Sequence, residues 1–413
     1  ELLAHMKGIF TDEPQLSRKG LLWSFVLEEE YWKAYHCELL KELPMLFLGT
    51  AESDAVRIRF WSLVARLFSE NFMKQIRDWS DEKGWLLTGH HVLEETCQEQ
   101  ISSNGSIMTQ YQHYHIPGMD HLGRTEPSPV AMVQLVSSAM QFGQKQILSE
   151  SFALSGWNIN FFGLRWMFQQ QFAHGVNLVC PHLSSYTLRG LRKRDYPASL
   201  FVHQPWWNDY RSVNDYFART GMLLAEGKAT TEVLVLHPLS SAWCHYTGDE
   251  SNPALKHYTD TLTRLTVALD AHQIAHHYAD EQIVAANGSF EKGRIRIGLQ
   301  SYDFVLIPQI ANLSKPMLEL LRQFAAGGRI LTVRNRLEPG KLTIDGEPAS
   351  AEVRNFYRSL PAFDSEAAAA DAAAAELAGR RTIATENGAP ATQILSTFRD
   401  LADLDGRPGR FFF

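Results

Sequence analysis

Two glutamates in this chain follow strand-like runs. Glu13 closes Lys7-Gly8-Ile9-Phe10-Thr11-Asp12-Glu13-Pro14, and Glu150 closes Lys145-Gln146-Ile147-Leu148-Ser149-Glu150. In parallel α/β proteins, ligands meet side chains at the carboxyl ends of strands. Two carboxylates on such a rim, among aromatic residues, suit acid/base chemistry at a glycosidic bond. One protonates the departing oxygen, while the other activates water or attacks the sugar carbon. Asp12 directly precedes Glu13, and adjacent acids raise each other's proton affinity, which favours keeping one neutral near pH 7 as a general acid must be. Taken singly, each glutamate is equally well explained as a loop acid, Glu13 capping the next segment and Glu150 favoured by a helix N-terminus. Together they say more. In an eight-fold barrel their spacing spans about three βα units, which would place the two tips across one mouth.

The other expected strand tips add polar groups: His90 with His91, Asp120 with His121, and His182 with Tyr186. Imidazoles hydrogen-bond sugar hydroxyls well, and Trp157, Trp206, Trp207 and Tyr210 offer flat faces that stack on a pyranose or fill a core. Metal-ligand spacing is weak. There is no HExxH, His113 and His115 would share a strand face without an evident third ligand, and His90 with Glu94 is an isolated pair. Zinc has little support, the metal ligands are unknown, and calcium stays open because a hard cation leaves no compact signature.

The elements that must position these groups alternate. Strands are expected over 6–12, 84–88, 111–115, 146–149 and 176–179. Long helical segments are expected over 21–46 and 55–80, with further helices over 129–142, 157–174 and 208–226, from apolar residues recurring at three and four positions. Five strands, mostly separated by helix, fit right-handed βαβ units. The expected architecture over 1–227 is α/β, the C-terminal part of a (β/α)8-type barrel, strands 4 to 8, with earlier strands absent from this chain or supplied otherwise. Over 228–336 a second alternation follows, with strands at 232–236, 294–297, 304–307 and 329–333 and helices at 253–271 and 315–326. This is the pattern of a small flavodoxin-like α/β domain. It holds no GxGxxG or Walker motif, and Gln309 after Pro308 is no cysteine elbow, so a scaffolding or oligomer-forming role is expected. From 337 to 413 an Ala-rich, irregular segment is expected, helix-prone at 366–377 but short of bulk for a core.

Composition bounds the partners. The 413 residues carry a formal charge of −7, and the only basic cluster, Arg189 to Arg194, is short, which argues against nucleic acid. No apolar run reaches the length of a membrane span. The four cysteines, Cys37, Cys97, Cys180 and Cys244, lack CxxC spacing and demand no disulfides. The chain opens without an initiator methionine, so its start does not report a compartment; a cytoplasmic location is favoured over secretion.

The string Gly8 to Pro14, the Thr88-Gly89-His90 tip, Ser149-Glu150 with Gly156-Trp157, and Gly175-Val176-Asn177 leading to His182 and Tyr186 are together similar to the barrel of glycoside hydrolase family 106, the α-L-rhamnosidases. The following domain also resembles that of the family 42 β-galactosidases. The resemblance covers roughly residues 1 to 335. It implies a carbohydrate substrate, Glu13 as general acid and Glu150 as second carboxylate. In a rhamnosidase, an inverting enzyme with a calcium ion in the sugar subsite, Glu150 would activate water. In a galactosidase-like retaining enzyme it would be the nucleophile. Retaining relatives usually carry Asn before the acid/base glutamate, and here that residue is Asp12, which tilts the expectation toward inversion. An inactive carbohydrate-binding relative is the third reading.

Overall fold

The strand tips named above meet in one curled parallel sheet. In the computed structural model, which describes residues 5–16, 21–50, 52–229, 231–248, 252–377, 391, 394–402 and 408–412, the strands are β1 (Gly8–Asp12), β2 (Leu86–His90), β3 (Ile116–His121), β4 (Leu148–Ser151) and β5 (Leu178–Pro181). They lie side by side in chain order, all parallel, as half of a barrel.

All five strands begin later than expected, by two residues for β1, β2, β4 and β5. His90, Asp120, His121 and Glu150 therefore lie within the strands' last residues, whereas Glu13, His91 and His182 lie just beyond them. The largest difference is β3. The segment 111–115 is a short helical turn, Met108–Tyr111, and its exit, and the strand begins at Ile116 and runs through Pro117-Gly118. That dipeptide carries turn chemistry in isolation. Here it lies between Gly89 and Leu148, where a Cβ on Gly118 would approach Gly89 O to 2.6 Å and Leu148 Cδ2 to 2.8 Å. Strand β1 is an edge strand of the described sheet, with Phe10 substantially exposed.

Between β1 and β2 the expected two helices are broken further. Leu27–Tyr35 ends at His36 in the left-handed region, Leu39–Phe47 follows, and Ser53–Phe68 continues through a π-turn at Ser69–Met73 into Lys74–Lys83.

A second parallel sheet has the order 362–363, 329–333, 304–307, 233–236, 276–279. Counted along the chain from 233–236, this is 2-1-3-4-5, one of the two common doubly wound orders. The expected strand Arg294–Ile297 belongs instead to a separate antiparallel meander with 288–291 and 300–302. The stretch after residue 337 continues the second sheet, with helix Ala351–Ser359, strand 362–363 and helix Glu366–Glu376. The alanines of the last helix give close approach in place of bulk: Ala369, Ala370 and Ala373 are fully buried, and the helix packs on Pro253–Ala271. The terminal Pro408–Phe412 pairs antiparallel with Phe398–Ala402.

One helix joins the two sheets. Ser128 caps it by accepting from the Ala131 N–H, Pro129 starts it, and Gly143 ends it at φ 76°. Twelve of the fourteen residues of Pro129–Phe142 are buried because β3 flanks the helix on one side and strand 276–279 on the other. Two of its polar residues serve the second sheet, while Gln134 and Ser138 donate to Glu94 O and Met108 O on the side of the first. Ser137 Oγ accepts from Tyr278 N at 2.7 Å, and Gln141 Nε2 donates to Tyr278 O at 2.9 Å. The main apolar core runs without a break from this helix into the second sheet. Among the described residues, no helix is long and apolar enough to cross a membrane.

Candidate active site

Strand register brings the acids together. Asp12 pairs with His90 across β1 and β2, Asp120 with Glu150 across β3 and β4, and Glu150 with Cys180 across β4 and β5. Residues opposite each other on neighbouring strands face the same way, so these groups line one side of the curled sheet. Gly89 permits the tight approach on which this depends. It lies at φ 140°, and a Cβ there would meet Thr11 O at 2.1 Å. Glu13 turns into the left-handed region at φ 50°, and its N–H donates to His90 O at 3.2 Å, pinning the tip of β1 to that of β2.

His90 is the hub. Its ring is buried, with Nδ1 3.2 Å from His91 O and Nε2 2.9 Å from Glu150 Oε2 and 3.5 Å from Asp12 Oδ1. Both nitrogens face acceptors, so the doubly protonated imidazolium satisfies the site and neither neutral tautomer does. Burial alone would depress the His90 pKa. The hydrogen bond to Glu150 and the charges of Asp120 and Glu150 outweigh it, and the pKa is raised. Glu150 responds in the opposite sense: chiefly through the hydrogen bond to His90, its carboxyl is held below the ordinary value despite partial burial.

Asp120 is the counterpart. Burial, together with the negative charges of Glu150, Glu13 and Asp12, pushes its pKa up to about 7 against the opposing pull of His90. Its Oδ1 is buried and accepts no hydrogen bond among the described residues. Cys180 is raised to about 11 by burial and by Glu150 and Asp120, which keeps the thiol protonated and unreactive.

The remaining expected site residues divide. His182 lies near enough to Glu150 to help lower its pKa; its N–H donates to Ser151 O at 2.8 Å, and its ring stacks on Tyr196. With Trp157, Tyr186 and Tyr196 it lines a hollow of about 560 Å³, in which Tyr186 is fully exposed and Trp157 partly so. His91 is turned away from the acids. Its buried ring meets Pro14 O at 3.1 Å and the Tyr114 hydroxyl at 3.3 Å, and burial drives its pKa down to about 4. Trp206 is a packing residue here, donating to Ile159 O at 2.9 Å and lying between Phe161 and Tyr210. His121 likewise faces the loop, with Nε2 3.0 Å from Thr125 O. Sequence reasoning had no means to see the His90–Glu150 contact or the placing of Cys180. Both follow from register, and the even spacing of Cys180 and His182 was the only trace of it.

Asp12, His90 and Glu150 have ligand atoms within 4.8 Å of one another and could hold a metal ion. The imidazole suits a borderline transition-type ion, whereas a hard cation would use only the two carboxylates. The other histidine pairs serve structure. His113 meets Ser69 Oγ at 2.8 Å, and His115 bridges Leu87 N and Asp81. No helix joins His90 to Glu94, which is buried and accepts from His91 N instead.

No family model and no curated relative matches the chain. Solved structures do match. A rhamnosidase from Novosphingobium sp. PP1Y is similar over 98% of this chain, with a TM-score of 0.70 and 17% identity. An exo-carrageenase of family GH42 from Bacteroides ovatus is similar over 92% (TM-score 0.59, 12% identity), and a β-galactosidase from Rahnella sp. R3 over 77% (TM-score 0.52, 15% identity). At such identities the likeness shows the fold. The chain spans 39% of that rhamnosidase, 53% of that carrageenase and 50% of that galactosidase.

Proposed function

We propose that this chain carries the acid/base centre of a glycoside hydrolase, with α-L-rhamnosides as the first substrate class. The observation that carries this reading is the opposed displacement of two neighbouring carboxyls. Glu150 is held ionised by His90, while Asp120, paired with it in register, keeps its proton to about pH 7. Environments that push two carboxyl pKa values apart assign base and acid.

In this reading Glu150 takes the proton of the attacking water, and His90 orients its carboxylate. The opposite proton is delivered from the Asp120–Glu13 side of the mouth. Glu13 is the donor that the resemblance implies, and Asp120 is the carboxyl whose surroundings keep a proton available. Trp157 and His182 at the adjoining hollow would take the sugar or its aglycone. A calcium ion, if bound, would be held by the carboxylate oxygens of Asp12 and Glu150 and would supply positive charge to orient a sugar diol. The likeness to a rhamnosidase at the highest of the quoted TM-scores supports the substrate class, and Asp12 in place of Asn supports inversion. A retaining reaction with Glu150 as nucleophile is the alternative. The 2-1-3-4-5 order supports reading the second sheet as a flavodoxin-like scaffold.

A panel of nitrophenyl glycosides tests the proposal, with NMR of the first-formed anomer on any hit. Glu150→Gln is expected to lower turnover by about 10²-fold or more. Turnover near wild type would remove the assignment.

A further inference from the structure

The second sheet carries a hollow that the chemistry above does not use. It lies beyond the carboxyl ends of strands 304–307 and 329–333, where doubly wound sheets take ligands, and its volume is about 380 Å³. That is within the range of small-molecule sites, roughly 300–1,000 Å³. Its charge stands out. Arg334, Lys341, Arg354 and Arg358 line it and no lining side chain is acidic, in a chain of net charge −7.

The helix Ala351–Ser359 supplies half of this character. Arg354, Tyr357 and Arg358 stand at positions i, i+3 and i+4, so one helix face presents two guanidiniums around a phenol ring. The four cations are unequally compensated. Lys341 is bound to Asp54 at 2.9 Å and Glu338 at 2.8 Å, so its charge is spent on holding the loop against helix Ser53–Phe68. Among the described residues Arg334 pairs with Asp364 alone, in an exposed pair. Arg354 donates to the Ala349 carbonyl; Glu352, the helix's own acid, pairs with Arg322, and among the described residues neither Arg354 nor Arg358 makes an ion pair. Thr332 lies at the floor beside Arg334.

We propose that this hollow is a binding site for a small organic oxyanion, a phosphate or sulfate monoester, held by Arg354 and Arg358 with Arg334 at the rim and its organic part against Tyr357. Guanidinium forks match the paired oxygens of such groups and bind them in bidentate fashion. The aromatic wall gives the ester's carbon portion an apolar surface. The site is separate from the carboxylate centre and does not depend on its assignment.

Calorimetric titration of the full chain with phenyl phosphate, phenyl sulfate and neutral phenol tests it. Either anion is expected to bind, more weakly as salt is raised, and phenol is not. The phosphate arm is expected to tighten from pH 5 to 7 as the second proton leaves near pH 6, and the sulfate arm to stay level, which separates the two sources of the oxyanion. Arg354→Gln/Arg358→Gln is expected to weaken binding at least tenfold. Arg358→Gln alone, at an exposed position, is expected to weaken it severalfold without loss of fold. Glu150→Gln is expected to leave it unchanged, so failure of the hydrolase reading would not imitate failure here. Absence of binding by both anions, equal binding of phenol, or an affinity indifferent to both arginine variants overturns the proposal.

Discussion

Glu150 Oε2 lies 2.9 Å from Nε2 of a buried His90, and each holds the other in its charged form. The pair therefore leaves a mark on stability as well as on chemistry. His90, with its pKa raised above 6.5, stabilises the fold below that pH and loses the effect as pH rises through its folded value. Glu150, lowered below 4.5, stabilises above that pH and loses the effect as pH falls through its folded value. Both contributions are complete between those ordinary values. Glu150→Gln is expected to cost about 1.5–3 kcal/mol there, measured by denaturant unfolding across pH, with a smaller gap on either side. A difference that stays flat from acid to alkaline pH would show that the two groups are not coupled.

The proton on Asp120 predicts a pH profile. If that carboxyl supplies the acid, kcat/KM on an active glycoside falls on the alkaline side around pH 7, where Asp120 titrates. Asp120→Asn should lower kcat by about 10²-fold and erase that limb. A variant that keeps the limb assigns the acid role to Glu13.

Gly89 predicts a structural failure. Gly89→Ala must place a methyl group at 2.1 Å from Thr11 O and hold alanine at φ 140°. Backbone strain and overpacking together are expected to cost about 2–5 kcal/mol. An unfolding free energy within about 1 kcal/mol of wild type would mean that β1 and β2 are not so closely apposed.

Ser137 predicts a local one. Ser137→Ala leaves the buried Tyr278 N–H without its acceptor, an expected loss of about 1–3 kcal/mol. Hydrogen exchange at Tyr278 should accelerate more than at Leu234, one strand nearer the sheet centre. Unchanged exchange would refute the contact.

How far these features were legible in the sequence depends on what each requires. Helix Pro253–Ala271 and strand Arg329–Val333 were readable to the residue because local signals, Pro after Asn252 and Gly327-Gly328 before Arg329, coincide with the tertiary boundaries. Strand β3 was not, because Pro117-Gly118 favours a turn until Gly89 and Leu148 close on either side of it. Glu13, Asp120, Glu150 and His182 were readable as polar groups at strand ends. His91 and Trp206 carry the same chemistry one residue or one loop away, and only register and packing direct their rings elsewhere. The imidazolium at His90 was invisible for the same reason, since its partners lie on strands distant in the chain. The alanine helix 366–376 was underrated because small side chains build a core by proximity, which composition does not display.

The helix Pro129–Phe142 stands in the chain between Asp120 and Glu150 and is clamped on its far side by Tyr278. Any tilt of the second sheet would be transmitted through this rod to the spacing of the two carboxyls, over the length of a few side chains. The C-terminal half is thus part of the alignment of the two carboxyls, and deleting it is expected to alter their spacing before either residue had been changed.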